Sequence, residues 1–184
     1  IGAGHDGIMV LPDDAAAPGT PAADYFSVES DFCLEVELTP NRVDGASHYG
    51  VARDLKAWLR RHGEKDAEVM TASVADFTPD SAEGAATVTV DDTAGCPRYS
   101  GVTVRGVTVG ESPEWLKNLL LATGQRPINN IVDITNFILL GLGQPLHCFD
   151  LAKVTDEHIV VRTCPAGTKF TTLDGKEHEL DEAD

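Results

Sequence analysis

GQRPINNIVDITNFILLGLGQPLHCFD, residues 124–150, is the stretch on which the architecture turns. NNIVDITNFILLGLG reads as a helix, and Gly141, Gly143 and Pro145 end it and turn the chain. The stretch also holds Arg126, Asn129, Asn130, Asp133, Thr135, Asn136, Gln144 and His147 among strongly apolar neighbours. Polar groups that cannot all face water must find hydrogen bonds. Thr135 and Asn136 are adjacent, about 100° apart on a helix, so at least one points away from solvent. The turn after the helix lets His147 fold back over its polar face. Two readings stay open here: a buried, satisfied hydrogen-bond network, or the wall of a ligand pocket.

Upstream, ESPEWLKNLLLATG predicts a second helix with Ser112 as cap, Pro113 at the first helical position and Gly124 at its end. TVTVDD and RYSGVTVRGVTV alternate β-branched residues and read as strands, as does IVVRT downstream. KFTTLDGKEHEL reads as a hairpin in which Asp174-Gly175 fits a two-residue type I′ turn. Strands and helices mix without a strict βαβ repeat, so the fold class is α+β, a mixed sheet with packed helices. Nearer the start, FCLEVEL alternates Phe32, Leu34, Val36 and Leu38 with polar positions, the period of a strand with one solvated face. Ser47 caps an amphipathic helix, HYGVARDLKAWLRRHG, expected to dock through Val51, Leu55, Trp58 and Leu59 and to end at Gly63. Between residues 64 and 84 polarity rises and periodicity fades, which places a domain boundary near Gly63. PDDAAAPGTPAAD, residues 12–24, suits an extended connector.

The 184 residues are 42% hydrophobic and 24% charged, ordinary for a globular chain long enough to bury a core. The longest apolar run is far too short to span a bilayer, so membrane integration is excluded. Thirty acidic against 14 basic residues give a net charge of −16. A surface of that sign does not grip nucleic acid as a whole, so any RNA contact is local or assisted. The opening IGAGHDGIMVLP lacks the basic stretch and apolar core of a signal peptide and has no initiator Met. With the closing DEAD directly after a hairpin, the chain reads as a piece of a longer polypeptide.

Cys33, Cys96, Cys148 and Cys164 form no CxxC pair and read as scattered buried thiols of a reducing cytoplasm. The six histidines form no pair at metal-ligand spacing, so no metal site is expected. GxGxxG, GxxxxGK[ST], HExxH and GxSxG are absent, which removes most support for nucleotide-binding and hydrolase folds. In LTPNRVDG, Asn41 and Asp44 sit at a corner where they satisfy backbone donors, and Arg42 can pair with a carboxylate.

Four segments carry a resemblance: LEVELTPNRVDGASHYGVARDL, CPRYSGVTVRGV, SPEWLKNLLLATGQRPINNIVDITNFILLGLGQPLHCFDLAKV and KFTTLDGKEHEL. In one order and with few gaps, from about His5 to the last residue, they resemble the bacterial phenylalanyl-tRNA synthetase β subunit. The resemblance implies that residues 1–62 are the end of an OB-type domain with a core strand-helix unit. It implies that residues 63–184 are the N-terminal part of the tRNA-editing domain, a body that hydrolyses tyrosine wrongly esterified to tRNA(Phe). The family's editing pocket carries over onto Arg126 and Pro145 as substrate-binding residues and onto Thr135, Asn136 and His147 as catalytic ones. A Gly-rich segment, a glutamate that reads the tyrosine hydroxyl and a further threonine lie beyond residue 184 in the family pattern, so the pocket here is half of one. The partners implied are the α subunit, in an α2β2 heterotetramer, and tRNA(Phe). No cofactor is expected in this segment; ATP and Mg2+ are implied for the whole enzyme, at the α subunit. A non-catalytic scaffold or tRNA-contact module is the alternative.

Overall fold

A computed structural model describes residues 7–8, 10–26, 30–81, 83–172 and 174–182. The chain divides into two compact units, one of residues Ile1–Ala67 with Gly110–Leu146 and one of Glu68–Val109 with His147–Asp184. Both helices and strands are present, in an α+β arrangement.

The first unit is helical. After a short helix α1 (Ala22–Tyr25) inside the stretch read as a connector comes α2 (His48–Arg61). Ser47 caps α2 by accepting from the Gly50 amide at 3.0 Å. Gly50 is buried, and a Cβ built there would lie 2.3 Å from the Asp44 carbonyl oxygen, so only glycine lets the first turn of α2 settle on the preceding 3-10 turn (Val43–Gly45). Arg42 spans this corner, pairing with Asp44 at 3.0 Å and Asp54 at 2.6 Å. Those bonds hold the Asp44 carboxyl below its ordinary range, chiefly through the Arg42 hydrogen bond. The carboxylate partner expected for Arg42 is therefore present twice.

Helices α3 (Glu114–Ala122) and α4 (Asn130–Leu142) supply the core: Leu116 and Leu120 are each 1% exposed, and Trp115 meets Phe137 edge to face at 5.7 Å. Helix α2 joins them where His48 donates from Nδ1 to the Leu140 carbonyl at 3.0 Å. The expected docking stripe is corrected. Val51, Leu55 and Trp58 are exposed, Leu59 is half-buried, and Ala52 and Lys56 share its partial burial. The helix has turned its Ala52–Lys56–Leu59 side inward because the close contact at Gly50 fixes its rotation.

In the second unit β1 (Thr87–Val90) pairs in parallel with β2 (His158–Val161), Thr87 opposite His158 and Val90 opposite Val161. β3 (Lys169–Thr171) pairs antiparallel with β4 (Glu177–Glu179). Among the described residues these are two separate two-stranded sheets, where a mixed sheet was expected. The hairpin turn is also corrected. Thr172 and Lys176 are still hydrogen-bonded, the Gly175 amide donates to the Thr172 carbonyl, and Gly175 takes φ 80°. That is the pattern of a three-residue loop closed by a left-handed glycine, rather than a two-residue type I′ turn. Leu173 lies outside the described residues.

Two expected strands are missing. Residues 30–38 run irregularly, with Phe32 92% and Leu34 83% exposed and no ladder partner among the described residues. Residues 98–109 form none because Gly106, at φ 72°, flips the alternation from even-numbered Val102 and Val104 to odd-numbered Val107 and Val109. A period-2 pattern prescribes a face; the strand needs a neighbour as well. The thiols differ too: Cys33 and Cys148 are exposed, and Cys96 and Cys164 half-buried.

Candidate active site

Helix α4 begins in a dense set of local hydrogen bonds. Asn129 caps it, its side-chain oxygen accepting from the Ile131 and Val132 amides at 3.1 and 3.0 Å. The Asn130 amide donates to the Gly110 carbonyl at 2.9 Å, and the Gly110 amide returns to Asn130 Oδ1 at 3.1 Å. Asp133, 1% exposed, accepts from the Ser112 hydroxyl at 2.5 Å and from the Ile128 amide at 2.8 Å. Ser112 is thus no helix cap; α3 starts from Pro113, whose extended ψ of 152° leads the chain in, because the Ser112 hydroxyl is engaged by Asp133. Gly143 closes the other end of α4 in the left-handed conformation, φ 73°.

The eight polar residues named in the opening stretch therefore sort into two groups. Half-buried Asn129 and Asn130 and buried Asp133 form the hydrogen-bond network at the helix start. Thr135, half-buried, donates to the Val132 carbonyl of its own helix at 2.6 Å and keeps its oxygen lone pairs as acceptors. Asn136 is half-buried, and Arg126, Gln144 and His147 are exposed. Among the described residues the side chains of Arg126, Asn136 and Gln144 make no hydrogen bond or ion pair, and His147 stacks on Phe149 with ring centroids 5.6 Å apart and planes at 11°. The network reading holds for the first group; the second group stands outside that network.

Thr135 and Asn136 share the middle of α4. Arg126 precedes the N-cap and Pro145 follows the C-cap, so they stand at opposite ends of a helix about 20 Å long. The division between units falls after Leu146: Arg126, Thr135, Asn136 and Pro145 belong to the first unit and His147 to the second. Among the described residues no three His, Cys, Asp or Glu side chains gather as a metal ion would require. No helix among them is long and apolar enough to cross a membrane. Sequence reasoning missed the Ser112–Asp133 pair; an acid flanked by apolar Ile131, Val132 and Ile134 in NIVDITNFILL, its one charged residue, was the available signal.

Residues 95–184 match the family model of the B3/4 domain, a span that holds α3, α4 and all five candidate residues. The chain is 56% identical over 184 residues, all of its length, to the phenylalanine–tRNA ligase beta subunit of Bacteroides fragilis. The chain belongs to the phenylalanine–tRNA ligase beta subunit family. It is 54% identical over 180 residues, 98% of the chain, to the beta subunit of Porphyromonas gingivalis and 49% identical over 184 residues, 97% of the chain, to that of Salinibacter ruber. It spans about a fifth of the length of these beta subunits, 22%, 22% and 21% respectively. The B3/4 match begins after β1 and includes its partner β2, so the parallel pair joins a matched strand to one outside the matched span.

Proposed function

We propose that this chain carries part of the site at which a phenylalanine–tRNA ligase hydrolyses tyrosine misattached to tRNA(Phe). The supporting observation is similarity to part of the beta subunits along all of this chain, with the side chains of Arg126 and Asn136 in the B3/4 span making no hydrogen bond among the described residues. An aminoacyl ester is intrinsically labile, so a hydrolytic site has only to hold the ester, orient one water and stabilise a developing oxyanion. In this reading the carboxamide of Asn136 and the acceptor oxygen of Thr135 fix the water and the substrate's amino group. His147 orients the terminal ribose or the water, Arg126 pairs with phosphate or carboxylate, and Pro145 shapes the wall. A synthetic pocket rejects an analogue that merely adds a hydroxyl only ~10²-fold, and a second site that demands the hydroxyl supplies the rest. ATP-dependent charging of tRNA(Phe), with Mg2+, is assigned in this reading to the partner α subunit in a cytoplasmic α2β2 enzyme.

The test is hydrolysis of Tyr-tRNA(Phe) by the complete enzyme carrying His147→Ala or Asn136→Ala. The expected result is a loss of ~10²-fold or more for His147→Ala, the scale of a positioned proton-transfer or hydrogen-bonding group, with Phe-tRNA(Phe) synthesis near wild type. Equal loss of both activities, or of neither, removes the editing role. A scaffold role is the second reading, favoured by the exposed Val51, Leu55 and Trp58 of α2, and it predicts that both substitutions leave hydrolysis unchanged.

A further inference from the structure

The proposed chemistry uses none of the buried polar groups at the start of α4, and one of them is a carboxylate. Asp133 and Ser112 are 1% and 4% exposed and, with Leu116 and Leu120, are among the most deeply buried described residues of the first unit. Burying an acid is costly unless its oxygens are satisfied, and an apolar residue of similar size is often no less stable at such a place. Here both oxygens are engaged: Oδ2 takes the Ser112 hydroxyl at 2.5 Å and Oδ1 the Ile128 amide at 2.8 Å. The charge also lies in the first turns of α4, where the helix dipole favours an anion.

What the arrangement fixes is a loop. Gly110 and Asn130 exchange two backbone-anchored bonds, Ser112 and Asp133 add a third link between the same two segments, and the Ile128 amide is drawn onto the same carboxylate. Ile128 is two residues from Arg126, and residue 129 is the N-cap, so the short connection from α3 to α4 is held at its far end by Asp133. The side chain of Ile128 does not do this, being 68% exposed; the backbone bond does. Arg126, itself exposed and free of internal partners among the described residues, has no other anchor of its own.

We infer that Asp133, braced by Ser112, is a positioning residue that presents Arg126 to the ester-bearing end of tRNA. The inference rests on the editing role proposed above. Removing the carboxylate frees the Ile128 amide and lets the loop carrying Arg126 sample other positions. Asparagine conserves the geometry: its oxygen accepts from Ile128 and its amide donates to the Ser112 oxygen, which accepts as readily as it donates.

The test uses the complete α and β enzyme with Asp133→Ala, Asp133→Asn, Ser112→Ala, Arg126→Ala and the Asp133→Ala/Arg126→Ala double variant. Three readouts are taken: steady-state hydrolysis of Tyr-tRNA(Phe), synthesis of Phe-tRNA(Phe), and amide exchange of the peptide spanning 124–130. Asp133→Ala is expected to raise KM for hydrolysis about tenfold with kcat within about threefold, to leave synthesis unchanged and to speed exchange in that peptide. Asp133→Asn stays near wild type, Ser112→Ala moves KM in the same direction by about threefold, and the double variant is no worse than Arg126→Ala alone. Should Asp133→Ala fail to fold, Ser112→Ala and its combination with Arg126→Ala carry the same comparison. Multiplying losses in the double variant, or parallel losses in hydrolysis and synthesis, overturn the inference and leave the editing role standing. If Arg126→Ala, Thr135→Ala and Asn136→Ala all hydrolyse Tyr-tRNA(Phe) at the wild-type rate, the editing role itself fails, and this inference with it.

Discussion

Gly50→Ala sets two opposed effects against each other on a known geometry. Gly50 lies in the first turn of α2, where alanine is intrinsically favoured over glycine by about 1 kcal/mol. The new methyl carbon, however, would stand 2.3 Å from the Asp44 carbonyl oxygen, 2.7 Å from Gly45 Cα and 2.8 Å from Gly45 C. A carbon–oxygen contact normally sits near ~3.3 Å, so α2 and the Val43–Gly45 turn must part by about 1 Å. All three atoms are backbone, and no side chain can swing aside. Overpacking of this kind costs about 1–3 kcal/mol, and parting the two elements also stretches the Arg42 bridge to Asp54. The clash therefore exceeds the propensity gain, and a net loss of about 1–2 kcal/mol is expected. Urea unfolding followed by far-ultraviolet circular dichroism measures it, with a lowered midpoint at unchanged slope. A Gly50→Ala chain as stable as the parent or more so would refute the close approach of α2 to this turn.

Leu116→Ala, at a 1% exposed site packed between α3 and α4, should cost about 2–5 kcal/mol in the same unfolding measurement, while Val51→Ala on the exposed side of α2 should cost well under half as much. Ser47→Ala removes the cap on the Gly50 amide and should cost about 1 kcal/mol. Asp44, Glu111 and Asp174 all have folded-state pKa values below their ordinary ones, through hydrogen bonds from Arg42, Lys117 and Lys176 respectively. Their contribution to stability is thus complete above the ordinary carboxylate range and is lost as pH falls through it, whereas a change from about pH 6 to 8 leaves it untouched. Carboxyl titration by NMR should place the Asp44 midpoint below 3.8, and a midpoint at or above that value counts against the Arg42 bridge. Filter binding of tRNA to the isolated chain at physiological salt should give a Kd weaker than about 1 μM, since a net charge of −16 repels phosphate; a tighter value would reveal a basic patch that outweighs it.

The helices were legible because each carries its own start and stop. Ser47, Asn129, Gly143 and the apolar spacing between them act through bonds within one turn, so residues a few positions apart suffice to specify them. Rotation of a helix about its axis is less local. The apolar stripe of α2 pointed to Val51, Leu55 and Trp58, yet the contact at Gly50 turned Ala52 and Leu59 inward, and nothing in the helix's own periodicity encodes that contact. Strands were legible only where a partner exists within the chain. TVTV and HIVV found each other across about seventy residues, but FCLEVEL and the valines around Gly106 are equally well patterned and remain unpaired among the described residues. The site shows the same division. Which side chains are polar was plain from GQRPINNIVDITNF; which of them the fold occupies was not, because Ser112 and Gly110, the groups that occupy them, lie about twenty residues upstream.

That occupation bears on the proposed site. A reaction that asks mainly for orientation gains little from many reactive groups and much from a few that cannot wander. Under the proposed editing role, helix α4 would meet this by dividing its polar residues along its length. Its first turns hold Asn129, Asn130 and Asp133 in bonds to backbone and to Ser112, which fixes the helix against α3 and the entering loop. Its middle presents Thr135 and Asn136 from the same helix. A change in the first group should therefore act through position, and conservative replacements such as Asp133→Asn should restore it; a change at Asn136 should remove a contact that no isosteric scaffold change can return. The two kinds of residue, adjacent in one helix and alike in composition, are separable by rescue alone.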